Sequence, residues 1–143
     1  MTISPYLIAI MAGWIIAQGT KYITIAIKNR SFGDIRQLYL SGNMPSAHSA
    51  TTIALATLVA LRDGIDGPLF AIAALFAGVV MYDAIMVRRS VGEQGIAIKS
   101  LIKLTKNKTL VLPRSARGHT PLEVLVGAFL GVLIGYIVFF ATQ

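Results

Sequence analysis

The sequence predicts an all-α integral membrane protein with four transmembrane helices, at about residues 5–28, 46–62, 68–88 and 120–142, plus a basic interfacial helix near 96–110. Three observations carry this. First, 55% of the 143 residues are hydrophobic and the mean hydropathy is +0.71, too apolar for an ordinary soluble domain. Second, the apolar residues are gathered into runs, most of them near bilayer length. Third, the segments between the runs are rich in turn formers and basic residues. No polar linker divides the chain, so residues 1–143 read as one domain.

Composition also narrows the chemistry. There is no cysteine, which removes disulfides, thiol nucleophiles and thiolate metal sites. The net charge is +7, but the basic residues do not interleave with aromatics, so nucleic acid is not an expected partner. An anionic membrane surface or a phosphorylated substrate suits that charge better. No Lys or Arg precedes Lys21, so the first apolar run lacks the basic region of a cleaved signal peptide and is expected to persist.

The first run, Pro5 to Ile27, is interrupted by Gln18 and Lys21. Gln18, Lys21 and Lys28 share one narrow helical face at spacings of three and seven. An ionisable residue inside a span usually points into a bundle or a cavity, which gives Lys21 a functional reading. Snorkelling to the interface is the plainer alternative for both lysines. Residues 29–46 form a polar connection, in which Ile35, Leu38, Tyr39 and Leu40 suit the membrane surface.

The second run, Ala47 to Leu61, is short: its 15 residues make about 22 Å of helix against a hydrocarbon core of ~30 Å. Burial of its His48 end in protein is expected, recessing that end below the headgroups. A helix starting there presents backbone N–H groups, a positive dipole end, Ser46 and His48 to one point, an arrangement suited to phosphate. Equally, Ser46 is a simple N-cap.

Arg62-Asp63-Gly64-Ile65-Asp66-Gly67-Pro68 is a turn, and the third span follows to Val87, with Ala74 and Gly78 permitting close helix contact. Near its end, Asp83 precedes Arg88-Arg89 by five residues. Asp83 is either a buried counter-ion that holds one guanidinium, or the arginines are ordinary cytoplasmic anchors. From Ile98 the pattern is helical, with Ile98, Leu101 and Ile102 on one face and Lys99, Lys103 and Lys106 on another. That is a basic helix for an anionic leaflet.

A basic loop from Leu112 to Arg117 leads to Gly118-His119-Thr120-Pro121-Leu122-Glu123. Thr120 with Glu123 makes a capping box, with Pro121 at the first helical position, and the cap alone could account for Glu123. In the last span, Gly127, Gly131 and Gly135 form a ridge for tight packing, inside the chain or in a homodimer.

Alternating spans bring four helix ends to one membrane side. Those ends carry Lys21 and Lys28, Ser46 and His48, Asp83 with Arg88 and Arg89, and His119 with Glu123. Twelve of the thirteen Lys and Arg residues fall on that side, which places it in the cytoplasm of a bacterial-type inner or plasma membrane. Two imidazoles, fixed cations and no thiol suggest phosphoryl transfer with no metal or other cofactor, since the cations would repel a divalent ion. One histidine would attack phosphorus and form a phosphohistidine, and the other would protonate the leaving oxygen. Lysines and arginines would stabilise the phosphoryl oxygens. A carboxylate beside the nucleophilic ring would fix its tautomer.

These residues carry a resemblance. Met44-Pro45-Ser46-Ala47-His48-Ser49-Ala50, Tyr82-Asp83-Ala84 with Val87-Arg88-Arg89 and Gly92-Glu93-Gln94, and Gly118-His119-Thr120-Pro121-Leu122-Glu123-Val124 resemble, in order, the blocks of the divergent type 2 phosphatidic acid phosphatase family. The resemblance spans nearly the whole chain and implies a relative of the lipid phosphate phosphatases. The wider superfamily carries Lys-x6-Arg-Pro, Pro-Ser-Gly-His and Ser-Arg-x5-His-x3-Asp. By match, Lys21 binds phosphate, Ser46 contacts it, His48 is the general acid and His119 the nucleophile, with Glu123 in place of the orienting Asp. The departures fall on the phosphate-binding groups: Lys28 stands where the first block has Arg, Ala47 replaces Gly, and Arg114 and Arg117 lie too close to His119 for the third block's arginine. Arg88 and Arg89 are the expected replacements, with Asp83, Lys28 and Arg117 completing the phosphate-binding set. The expected activity is hydrolysis of a lipid phosphomonoester. The alternative is a phospholipid or anion carrier that uses the same cationic pocket without cleavage.

Overall fold

The computed structural model describes residues 3–30, 44–105, 111–112 and 118–143. Helices account for nearly all of them, and no strand occurs among the described residues. The order is α1 (Pro5–Asn29), α2 (Ala47–Asp63), α3 (Pro68–Tyr82), a π-helical turn (Asp83–Val87), α4 (Arg88–Leu104) and α5 (Pro121–Ala141).

Proline opens α1, α3 and α5 within the first two helical positions, where its missing N–H removes no helical bond. α1 ends at Arg30 in the left-handed conformation (φ 51°), whose N–H returns to the carbonyls of Ala26 and Ile27. The buried face of α1 includes Ala9, Gly13, Ala17, Lys21 and Ile25, a strict four-residue stripe. Small residues on that stripe let the backbones approach: a Cβ on Gly13 would stand 2.9 Å from the Thr51 Cα.

α2 is the axis of the bundle. It packs against α1, α3 and α5, and α1 also touches α5. The first apolar cluster joins Ala9, Ala54, Leu58, Ile134 and Val138, and a second joins Ala17, Ala47 and Ala50 one level nearer the start of α2. At the far end, Tyr6 donates to the Asp63 carboxylate (2.8 Å), and the Arg62 guanidinium bonds the Thr142 carbonyl and hydroxyl. Arg62 and Asp63 therefore tie helix ends together on the side away from both histidines.

Two departures from the sequence reading have clear causes. Among the described residues, three helices are long and apolar enough to cross a membrane, not four: Pro5–Asn29, the continuous Pro68–Leu104 and Pro121–Ala141. α2, with 17 residues that include Ser49, Thr51, Thr52 and Thr57, falls short and is instead packed among the longer helices. The basic helix expected near 96–110 is not a separate element. It continues α3 through the π turn from Arg88 to Leu104, and residues 106–110 lie outside the described residues. Of the two uses left open for the glycine ridge, packing inside the chain is the one seen, with α2 filling it. Added Cβ atoms on Gly127, Gly131 and Gly135 would stand 2.5 Å from the Ser46 carbonyl, 2.5 Å from the Ala50 carbonyl and 2.6 Å from the Thr57 Cβ.

Candidate active site

The capping box forms as its residue types dictate. The Thr120 hydroxyl accepts the Glu123 N–H (3.3 Å), and the Glu123 carboxylate accepts the Thr120 N–H (3.0 Å). The same carboxylate oxygen, Oε2, also lies 3.2 Å from His119 Nδ1. A carboxylate only accepts, so Nδ1 carries the proton and Nε2 keeps its lone pair. The imidazole is 8% exposed and the carboxylate 21%. Burial pulls the His119 pKa below its ordinary value, with the hydrogen bond and charge of Glu123 opposing and the charges of Lys21 and Arg88 assisting. A neutral, oriented ring is the result.

Backbone contacts hold that ring against two other parts of the chain. The His119 N–H donates to the Ala84 carbonyl of the π turn (3.0 Å), and the Ser46 N–H donates to the Glu123 carbonyl (3.1 Å). Gly118 lies so close to the π turn that a Cβ there would stand 2.4 Å from the Arg89 nitrogen. These three contacts bring the starts of α2 and α5 to the end of α3.

The π turn also arranges the acid and base that surround it. In an α-helix, residues five apart point about 140° away from each other. The wider π turn brings them back toward one face, and Arg88 donates from Nε to Asp83 Oδ2. Arg89 turns away and pairs with Glu93 (3.1 Å) in an exposed i,i+4 bridge. Lys21 lies one turn beyond Ala17 on the stripe that meets the start of α2. Its ammonium is buried, within electrostatic reach of Glu123. His48, exposed in the first turn of α2, feels the charges of Arg88, His119, Asp83 and Lys21.

Seven of the ten residues singled out by sequence, Lys21, Ser46, His48, Asp83, Arg88, His119 and Glu123, thus meet at one end of the bundle. Arg89 does not face the cluster, and Lys28 sits exposed in the last turn of α1. Arg117 lies outside the described residues. Ser46 is fully buried, and its Oγ accepts from the Ser49 N–H (3.4 Å) and the Ser49 hydroxyl (2.9 Å). That geometry is an N-cap, so the hydroxyl is not presented to a ligand. Sequence reasoning missed the parts played by Ala84, Gly118 and Gly127. The only signal was the glycine beside His119 and the position of Gly127 in the α5 ridge.

Chemically, the cluster offers a neutral imidazole with a lone pair, a second imidazole and two fixed cations. Such a set can attack and stabilise an electrophilic phosphorus. Among the described residues, no three His, Cys, Asp or Glu side chains gather as a metal site.

Comparison with known proteins gives two similarities. The family described as "Divergent PAP2 family" matches residues 3–134. A Bacillus subtilis (strain 168) protein, "Uncharacterized membrane protein YuiD", is 40% identical over 108 residues, which is 66% of this chain and 68% of the relative. No solved structure matches the chain at a significant level.

Proposed function

The chain belongs to the Divergent PAP2 family, and on that premise we propose that this integral membrane protein hydrolyses the phosphomonoester of a lipid without a metal. The observation that carries the reading is the buried His119 ring, held through Nδ1 by Glu123 at 3.2 Å and flanked by Lys21 and Arg88. A carrier needs the cations but has no use for a second imidazole or an oriented nucleophile.

In the first step, His119 Nε2 attacks phosphorus. An N–P bond forms, the P–O bond to the lipid breaks, and protonated His48 delivers a proton to the departing alkoxide. Lys21 and Arg88 hold the non-bridging oxygens as charge redistributes, with Asp83 fixing the direction of the guanidinium. Glu123 supports the positive charge on the phosphorylated ring. In the second step, His48, now neutral, takes a proton from water. The hydroxide oxygen bonds to phosphorus, the N–P bond breaks, inorganic phosphate leaves and His119 is restored. The excess of Lys and Arg that the sequence predicts for the site's side supports a reaction at the cytoplasmic leaflet.

The test is phosphate release by the purified chain from a panel of lipid phosphates in detergent with EDTA. His119→Ala should abolish turnover, and His48→Ala should lower it about 10²- to 10⁴-fold, the usual range for a general acid. Unchanged turnover in both variants removes the mechanism. Lipid binding that depends on Lys21, with no release from any substrate, replaces it with the carrier.

A further inference from the structure

α3 and α5 both pack on α2 but stand apart from each other over most of their length. The gap is an almost wholly apolar groove of about 430 Å³. Ala56 and Ala60 of α2 form its floor, and Ala74, Gly78 and Met81 of α3 face Val132 of α5 across it. The lining on α3 runs from Phe70 to Met81, about 16 Å at 1.5 Å per residue. That is half of a hydrocarbon core of ~30 Å, the depth of one leaflet.

One end of the groove meets the candidate active site. Met81 lies two residues before Asp83, and Ile53, also in the lining, is five residues along α2 from His48. The apolar surface therefore begins within about 8 Å of the cationic cluster along the helix axis. Three residues from the Met81 end, the wall is open: a Cβ on Gly78 would meet nothing within 4 Å.

Continuity with the site decides the occupant. The groove is about as long as one leaflet is deep and ends beside the cationic cluster, which suits a hydrocarbon chain that continues from a bound phosphate. We propose that this groove is the hydrocarbon subsite of the candidate active site and seats one long chain of the lipid whose phosphate lies at Lys21 and Arg88. The subsite rests on the phosphatase reading for its headgroup end. It makes the substrate a long-chain lipid drawn sideways from the leaflet.

Gly78→Leu tests it, because the new side chain enters the hollow without displacing an existing contact. The full chain in detergent is assayed with dioleoyl and dihexanoyl phosphatidic acid, and Ala74→Leu serves as a second filling variant. The expected result is a KM at least 10-fold higher for the dioleoyl substrate, with dihexanoyl turnover within twofold of wild type. Equal losses on both substrates, or none on either, overturn the subsite. So do losses accompanied by a change in oligomeric state, which would assign the groove to a second copy. A photoreactive long-chain alkyl phosphate supplies a reading that does not require catalysis. Labelling concentrated on α3 and α5 groove residues and removed by Gly78→Leu supports the subsite even if no lipid is hydrolysed, in which case only the phosphatase reading fails. Labelling spread evenly over all lipid-facing helices overturns the subsite even if hydrolysis is found.

Discussion

Glu123→Gln separates the two roles that Glu123 could play. The substitution keeps an oxygen that can accept from the Thr120 N–H and from His119 Nδ1, so the cap survives and the negative charge is lost. Before attack, His119 is neutral, because burial holds its pKa below the ordinary value. The ion pair therefore develops only as the ring takes on positive charge at phosphorus, which makes it a transition-state interaction. At the 3.2 Å separation of Nδ1 and Oε2, a full charge pair is worth about 5 kcal/mol at an effective dielectric of about 20. Water reaches the carboxylate, which is 21% exposed, and roughly halves that figure. The remaining ~2.5 kcal/mol corresponds to a fall in kcat of about 10²-fold. Folding stability should drop by only about 1 kcal/mol, the cost of weakening charge-assisted bonds at a helix start. Steady-state phosphate release and thermal unfolding on the same preparation measure both quantities. If kcat stays within twofold of wild type while stability falls as expected, Glu123 is a cap and nothing more.

Three further outcomes follow from the same geometry. The attacking ring must be neutral, and its pKa lies below the ordinary value of about 6.5, so the acid limb of kcat/KM should fall below that value, while the need for a protonated His48 makes kcat/KM decline on the alkaline side. The linkage has the same sign: the unfolded chain takes up the proton first, so this contribution to stability is complete above about 6.5 and is lost as pH falls. An acid limb centred above 6.5 contradicts a buried nucleophile. Lys21→Met, which keeps length and removes charge, should lower kcat/KM for a lipid phosphate by about 10²-fold, in the range expected for a charge-assisted contact of about 1.5–3 kcal/mol. An unchanged KM and kcat would remove Lys21 from the phosphate site. Gly118→Ala forces a Cβ to 2.4 Å from the Arg89 nitrogen and should cost about 1–3 kcal/mol in unfolding while reducing phosphate release. The control is Gly19→Ala, where nothing lies within 4 Å, and it should leave activity intact.

Local patterns made much of this legible before any coordinates. Thr120, Pro121 and Glu123 specify a helix start within six residues of sequence, and α5 begins there. The spacing from Asp83 to Arg88 suggested a counter-ion, and the pair forms. What could not be read was any feature that depends on the partner of a surface. The ridge of Gly127, Gly131 and Gly135 fits a sister helix as well as a second molecule, and only the position of α2 decides between them. Ser46 likewise has two uses in sequence, and the choice is made by Gly127, which brings α5 against its carbonyl and closes its surroundings. On α1, Gln18, Lys21 and Lys28 read as a polar face, but the stronger pattern is the stripe in which Ala9, Gly13 and Ala17 recur every four residues and Lys21 is the next member. Lys28, on the seventh position, leaves that stripe and is exposed.

The π turn is where local and distant demands meet, and it explains why one arginine of an adjacent pair faces the cluster. Asp83-Ala84-Ile85-Met86-Val87 carries no residue that forbids an ordinary α-helix, so nothing in the segment itself asks for the wider turn. Continued α-geometry would send Arg88 about 140° away from Asp83. The contacts that favour the wider turn come from outside: the His119 N–H on the Ala84 carbonyl, and Gly118 against the Arg89 backbone. A wider turn costs helix geometry but gains a bond to the His119 backbone and an ion pair beside it. The position of His119 and the direction of the Arg88 guanidinium are therefore set by one distortion, so under the proposed mechanism a change that relaxes it should affect phosphate binding and attack together.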